Sequence, residues 1–140
     1  MNQPQLPHGP GFRLVDEIGV LEPGPLLRGR VWLNPDWPIF RDHFPTRPLL
    51  PAVYFVEMAA QTSGALWAEH AKFSPSTPLQ LVEIKKFRVR QPAFPGQRLQ
   101  IVATLGAAWP ELAMFQVEIF RDHDLLAVGE VVMGQGQTAA

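Results

Sequence analysis

The fold is decided by residues 52–71, AVYFVEMAAQTSGALWAEHA. This stretch contains no proline, is rich in alanine and is long enough for about five helical turns. Pro51 precedes it, at a position where proline favours the start of a helix. Between residues 52 and 68, Glu57 is the only side chain that is normally charged at neutral pH. A helix without a polar stripe has to be covered by other elements, so the sequence predicts a helix at 52–71 that is buried on nearly every side.

The rest of the chain supplies strands that can cover this helix. Six short segments are partly alternating and rich in β-prone residues, with turn residues between them. These segments are 12–20, 26–33, 79–90, 99–105, 112–120 and 125–133. Two strands, one apolar helix and four further strands are typical of a curved antiparallel sheet wrapped around a central helix. The predicted fold class is therefore α+β, with the hot-dog architecture.

Length and composition restrict the class of protein further. The 140 residues, 46% hydrophobic and 18% charged, predict a single domain at 1–140, with an ordered core at about 6–133 and a flexible tail at 134–140. Twelve Lys and Arg against thirteen Asp and Glu leave a net charge of -1, which argues against a nucleic-acid partner. The absence of cysteine excludes disulfides and thiolate chemistry. The sequence shows neither a secretory leader pattern nor an apolar run that could span a bilayer, so we expect a soluble cytoplasmic protein.

A histidine lies in a loop that prolines make stiff. Residues 34–51 contain five prolines, and each of them fixes φ and disfavours helix before it. We therefore expect an extended loop without a regular helix. The prolines around His43 would hold its imidazole still, as a general base requires. The alternative is an ordinary surface or hydrogen-bonded histidine.

A carboxyl in an apolar helix also needs an explanation. Burial without a partner costs free energy and favours the protonated form, which makes Glu57 a candidate general acid. Alternatively, Glu57 bonds Gln61 one turn further on and only joins the helix to the sheet. The first amides of the helix, near Ala52, have no acceptor within the helix and would bind an oxyanion. A base, an acid and oxyanion donors are the groups needed to remove a proton next to a thioester carbonyl and expel a β-hydroxyl.

The run from His43 to Gln61, HFPTRPLLPAVYFVEMAAQ, resembles the signature of hot-dog (3R)-3-hydroxyacyl-acyl-carrier-protein dehydratases of the FabZ type. In that signature, His-Phe-Pro-Gly-x-Pro-x-x-Pro-Gly precedes Glu-x-x-x-Gln, and the fourteen-residue step from His43 to Glu57 matches. The resemblance covers about 6–133, including LPH at 6–8 and FRVRQP at 87–92. Thr46 and Ala52 replace the two glycines. Thr46 would be strained by about 1 to 2 kcal/mol if its position required a positive φ.

The resemblance implies roles for particular residues. His43 would remove a proton from C2, Glu57 would protonate the departing 3-hydroxyl, and the amide of Ala52 would bind the thioester oxygen. The supporting residues would be Phe44, Pro45 and Gln61. Since the family's site lies at a two-fold interface, His43 of one subunit would face Glu57 of the other in a homodimer or a trimer of dimers. The substrate would be an acyl group on acyl carrier protein or coenzyme A, in fatty-acid or related lipid or polyketide biosynthesis, and no cofactor or metal is implied.

A basic segment follows the helix, KKFRVR at 85–90. If this segment is a strand, Lys86, Arg88 and Arg90 share one face, on which an acidic carrier protein could dock. The alternative is an ordinary solvated sheet face. His8, His70 and His123 lack the spacing of metal ligands relative to one another or to His43, so no metal site is expected.

Two other functions remain open on the same scaffold. One is hydrolysis of an acyl thioester by a water that Glu57 activates. The other is a non-catalytic, acyl-thioester-binding homologue, which the replacements at Thr46 and Ala52 suggest.

Overall fold

The computed structural model describes residues 1–3 and 6–136. Six strands and two helices follow one another along this part of the chain. The strands are β1 (Glu17–Ile18), β2 (Leu26–Trp32), β3 (Leu79–Val89), β4 (Arg98–Ala108), β5 (Leu112–Arg121) and β6 (Asp124–Gln135), and the helices are α1 (Ile39–Asp42) and α2 (Ala52–Ala71). Among the described residues, no helix is both long and apolar enough to cross a membrane.

All six strands belong to one antiparallel sheet. Their order is β1-β2-β4-β5-β6-β3, which leaves β1 and β3 as the two edges. α2 packs against β2, β3, β4, β5 and β6, so the sheet wraps around the helix. The predicted α+β hot-dog architecture is confirmed.

The strand sequences determine which face of the sheet meets the helix. In β5, Phe115, Val117 and Ile119 are fully buried, whereas Gln116 and Glu118 between them are exposed. Because alternate side chains of a strand point to opposite faces, this pattern gives β5 one apolar face for α2 and one polar face for solvent. The helix contributes Phe55, Met58 and Leu66 to the same core.

The predicted bounds of α2 are confirmed at both ends. Pro51 has extended backbone angles and precedes the first helical residue. At the other end, Lys72 adopts a left-handed conformation, and its N–H donates to the carbonyls of Ala68 and Glu69. The first turn is not buried as expected, because Val53 is 68% exposed. Burial on nearly every side holds only in the middle of the helix, from Met58 to Trp67.

The proline-rich loop differs from the prediction, which excluded a helix there. α1 is a single turn within it. Pro38 has helical backbone angles and starts this turn, and the next proline, Pro45, lies three residues past its end. A turn of four residues therefore fits between two prolines, since proline hinders helix mainly at the residues before it.

The chain ends are more regular than the sequence suggested. β6 continues through Gln135, and the N–H of Gly136 donates to the carbonyl of Pro78 at 2.7 Å. The expected flexible tail is therefore wrong for residues 134–136, and its remainder, 137–140, lies outside the described residues. At the start, Asn2 and Ile18 exchange two backbone hydrogen bonds of 2.7 Å. The first predicted strand, 12–20, is reduced to β1.

The edge strand β3 is bulged. Its pairing with β6 shifts register between Leu81 and Glu83 and again between Lys85 and Arg88. At the second shift Lys86 has a φ of 51°, in the left-handed region. Gly129 of β6 lies opposite, and a Cβ there would be 2.6 Å from Phe87 Cα. The bulge therefore depends on a glycine in the neighbouring strand.

Candidate active site

His43 lies directly after α1, at the entrance of the loop that leads to α2. Its backbone N–H donates to the carbonyl of Ile39 at 2.9 Å. Its Nδ1 lies 3.0 Å from the carbonyl oxygen of Leu49, and its ring stacks on Phe44 with 4.4 Å between centroids. Because a carbonyl only accepts hydrogen bonds, Nδ1 carries a proton in this contact. Nε2 of the neutral ring is then the free base, as a proton acceptor requires.

Backbone hydrogen bonds fix the loop that carries His43. Phe44 and Arg47 close a turn through bonds of 3.3 and 3.0 Å, and the N–H of Leu49 donates to the carbonyl of His43 at 2.8 Å. The loop is tied to the body of the protein by the N–H of Leu50, which donates to Ala93 at 2.9 Å. Thr46 does not adopt a positive φ, so the strain that such a conformation would cause is absent.

Glu57 lies on the second turn of α2 and has two partners at one oxygen. Oε1 accepts a hydrogen bond from Gln61 Nε2 at 3.1 Å, and His8 Nε2 lies 3.4 Å from the same oxygen. The side chain is 23% exposed. Sequence reasoning predicted an unpaired acid sunk in apolar surroundings, whereas this carboxyl is hydrogen-bonded and reaches solvent. Each of the two roles considered for Glu57 is thus partly represented, since the bond to Gln61 coexists with an accessible carboxyl.

Gln61 connects the helix to the segment before β1. It is 2% exposed, and its Nε2 donates to the carbonyl of Phe12 at 2.8 Å as well as to Glu57. Its Oε1 accepts from the backbone N–H groups of Leu14 and Val15 at 3.0 and 3.4 Å. Every polar atom of the amide is therefore used, and Gln61 has little freedom to turn away from Glu57.

The start of α2 offers free backbone donors. No side chain caps this end, and the first turn holds no acidic residue. Within the described residues, no acceptor is seen for the amide of Ala52, and Ala52 itself is exposed. The N–H groups here carry the partial positive charge of the helix terminus and can bind an anionic oxygen.

His43 and Glu57 do not contact each other within one chain. His43 is held by Leu49 and Phe44, while Glu57 is held by His8 and Gln61. Two apolar side chains lie exposed beside His43 and the start of α2. Phe44 is 53% exposed and Val53 is 68% exposed. His43 and Glu57 are thus presented by separate parts of the chain, and apolar surface lies uncovered beside His43 and the start of α2.

The basic residues after α2 are exposed, but their arrangement differs from the prediction. Lys86 lies in the bulge of β3, and Arg90 follows the end of the strand. The strict alternation that was expected to put Lys86, Arg88 and Arg90 on one face is therefore interrupted. The aromatic side chains of Phe40, Phe55 and Trp67 are buried in the core.

Sequence reasoning missed the contact between His8 and Glu57. The two residues are 49 positions apart, and only the folded chain brings them together. The available signal was the LPH motif at 6–8, which the sequence shares with the family's opening segment.

Comparison with known proteins shows the family to which the chain belongs. A family model described as ApeI dehydratase, of the ApeI-like family, matches residues 24–130. The chain is 34% identical over 126 residues to the 3-hydroxyacyl-[acyl-carrier-protein] dehydratase FabZ of Syntrophotalea carbinolica, covering 90% of this chain and 86% of that one. It is 33% identical over 118 residues to the FabZ of Myxococcus xanthus, covering 81% and 77%.

Solved structures show the same fold. The dehydratase heterocomplex ApeI:P from Xenorhabdus doucetiae superposes with a TM-score of 0.83 at 21% identity, over 99% of this chain and 94% of that one. The fluoroacetyl-CoA thioesterase FlK superposes with a TM-score of 0.68 at 12% identity, over 83% and 88%. At these identities the likeness concerns the fold alone.

The wrapped sheet, the loop histidine and the helix glutamate define a hot-dog protein of the dehydratase class. The chain belongs to the ApeI-like dehydratase family, and its FabZ relatives confirm the resemblance carried by the run from His43 to Gln61.

Proposed function

We propose that the protein removes water from a (3R)-3-hydroxyacyl thioester to give the trans-2-enoyl thioester. The observation that carries this proposal is that one chain presents both a loop histidine whose free nitrogen is Nε2 and a helix glutamate whose Oε1 lies against Gln61 and His8. The FabZ relatives, named as 3-hydroxyacyl-[acyl-carrier-protein] dehydratases, support the same reaction.

In this mechanism, each group has one task. Nε2 of His43 takes a proton from C2 while the C2–C3 double bond forms and the C3–O bond breaks. Glu57, protonated at the start, gives its proton to the departing hydroxyl, which leaves as water. The amide of Ala52 donates to the thioester oxygen and stabilises the enolate-like charge. Loss of the proton from His43 and its return to Glu57 through solvent restore the enzyme.

The two reacting groups would come from two subunits. Within one chain His43 and Glu57 do not meet, and the exposed Phe44 and Val53 beside the site need a cover. A second copy related by a two-fold axis would supply both the cover and the missing partner, forming two sites per dimer. A similar but non-identical hot-dog chain is the other candidate partner, because the ApeI neighbour was solved as a heterocomplex.

The acyl group would be carried by acyl carrier protein, as the names of the FabZ relatives indicate for those proteins. The exposed basic residues Lys86, Arg88 and Arg90 lie at or near the bulged end of β3 and would attract its acidic surface. Charge reversal at Arg88 would then raise KM for a carrier-linked substrate and leave KM for a short thioester mimic unchanged.

The decisive experiment is an assay of dehydration and of the reverse hydration of an enoyl thioester. We expect His43→Ala and Glu57→Gln each to lower kcat/KM by about a thousandfold. His123→Asn in the β5–β6 turn and Glu69→Gln at the exposed end of α2 are matched controls and should leave the rate unchanged. Wild-type turnover that survives both site substitutions would remove the proposal.

The same assay tests the two other functions. Release of free thiol from an acyl thioester that lacks a 3-hydroxyl would instead indicate a thioesterase. Binding of acyl thioesters without turnover of any chain length would indicate a non-catalytic homologue.

A further inference from the structure

Two side-chain nitrogens from different parts of the chain approach one oxygen of Glu57. Gln61 approaches Oε1 from the same helix, one turn further along, at 3.1 Å. His8 approaches it from the N-terminal segment, with Nε2 at 3.4 Å. Within the described residues, no hydrogen bond or ion pair is seen at Oε2. The carboxyl is thus held on one side and open on the other.

The surroundings of His8 determine which nitrogen carries the proton. Nδ1 is buried and has no hydrogen-bond partner among the described residues. An N–H left there without a partner would cost more than an unpaired lone pair next to apolar atoms. The favoured neutral tautomer therefore has its proton on Nε2, which is the atom that faces Glu57.

His8 itself is fixed from two sides. Its ring lies against Phe12, with 5.8 Å between centroids, and Arg13 Nη2 donates to its backbone carbonyl at 3.2 Å. Gln61 holds the carbonyl of the same Phe12. The N-terminal segment, Gln61 and Glu57 thus form one hydrogen-bonded group, in which His8 has a defined position.

We propose that His8 is a positioning residue for Glu57: with Gln61 it holds Oε1, and so directs Oε2 to the substrate. This inference rests on the proposed function. A glutamate side chain that is 23% exposed has several rotatable bonds, and Gln61 alone fixes it only relative to its own helix. A second donor from another direction defines the plane of the carboxyl, which a proton donor has to keep during reaction.

The test compares two side chains of similar length at position 8. In His8→Gln, an amide N–H replaces Nε2–H, whereas His8→Met fills similar space without a donor. We expect His8→Met to lower kcat about tenfold with KM nearly unchanged, because the contact between the imidazole Nε2 and the reacting carboxyl is lost. His8→Gln should remain within about threefold of the wild type. His70→Met, at the exposed end of α2, serves as the matched control.

A double variant separates positioning from a general loss of structure. In a Glu57→Gln background, His8→Met should cause no further loss of the residual rate, since there is no acid left to position. Equal kcat values for His8→Met and the wild type, or equal losses for His8→Gln and His8→Met, would overturn the role of His8. If the wild type itself does not dehydrate the substrate, the proposed function fails instead, and the two failures are thereby distinct.

If His8→Met does not fold, His8→Phe keeps the ring that packs against Phe12 and also lacks the donor. The same comparison with His8→Gln then applies, with the same expected tenfold difference in kcat.

Discussion

Gln61 shows how one buried polar residue serves both stability and the site. Its amide makes four hydrogen bonds, three to the backbone of residues 12–15 and one to Glu57. A buried residue of this kind is expected in a helix only where all of its polar atoms are satisfied.

We predict that Gln61→Leu lowers the free energy of unfolding by about 3 kcal/mol, because buried backbone groups near Leu14 lose their partner. Urea denaturation followed by fluorescence measures this change. Gln116→Leu, on the exposed face of β5, is the control and should change stability by less than about 0.5 kcal/mol. Equal losses for the two variants would contradict the importance of the buried bonds.

Asp16 makes stability depend on pH in a defined direction. Burial raises the pKa of its carboxyl above the ordinary value of 3.8, although the hydrogen bond from the Trp32 N–H opposes this effect. The folded state therefore binds the proton more tightly than the unfolded state does. Protonation of Asp16 therefore adds to the free energy of unfolding. This contribution is fully present below pH 3.8 and is lost as the pH rises through the raised pKa.

Asp16→Asn removes this dependence. We predict that the melting temperature of the wild type, relative to that of Asp16→Asn, rises as the pH is lowered from 7 towards 4. Differential scanning calorimetry of both proteins in the same buffers provides the measurement. Taking the difference between the two melting temperatures at each pH removes the effect of the other titrating groups. A difference that is constant with pH, or that falls on acidification, would show that the sign is wrong.

At the scale of elements, Gly64 and Gly129 differ in whether a side chain would fit at their positions. Gly64 lies within α2, where a Cβ would be 3.7 Å from Met133 Cε, an ordinary contact. Gly129 lies in β6, where a Cβ would be 2.6 Å from the backbone of Phe87 in the bulged strand. Only at position 129 does the packing require a residue without a side chain.

We predict that Gly64→Ala stabilises the protein by about 0.5 to 1 kcal/mol, since alanine is the better helix former. Gly129→Ala should destabilise it by about 2 kcal/mol or more, because the backbone of β3 has to move. Thermal and urea unfolding of the two variants side by side measure these changes. The reverse order of stability would exclude the close approach of β3 to β6.

Elements differed in how well the sequence predicted them. Helix 52–71 was predicted with its bounds because a proline before it and a long apolar composition are local signals. α1 was missed because four residues give too little pattern to oppose the prolines around them. The bulge of β3 was missed because it depends on Gly129, more than forty residues away.

The candidate site was predicted only in part, for a similar reason. His43, Glu57 and Gln61 lie within one run of sequence whose spacing carries the family resemblance. The partners that hold these side chains lie outside that run of sequence. His8 and residues 12–15 reach the helix only through the packing of the N-terminal segment. Burial of Glu57 was overestimated because composition reports the average surroundings of a helix and not the surface near its first turns.

At the scale of the whole molecule, the main prediction concerns the sharing of sites between subunits. His43→Ala retains Glu57, and Glu57→Gln retains His43, so a mixed dimer has one complete site and one site that lacks both groups. After unfolding and refolding of an equal mixture, half of the dimers are mixed, and we expect about a quarter of the wild-type activity. Each variant refolded alone stays inactive.

This mixing experiment also distinguishes the alternatives. A site built within one chain would show no recovery in the mixture. If the partner is a different hot-dog chain, the purified protein would show little activity alone, and mixing its two variants would not restore it. Sedimentation of the same samples shows whether two copies associate.

The hydrogen bond between His43 and Leu49 lies entirely within one loop, so a solitary chain already fixes the orientation of its imidazole. If the acid of each site comes from a second chain, an isolated chain is inactive although its histidine is already in position. Association of two chains then completes the active site. At concentrations at which the dimer dissociates, activity per millilitre would then fall with the square of the protein concentration. The amount of protein in the cell would therefore limit the reaction rate more steeply than for a monomeric enzyme.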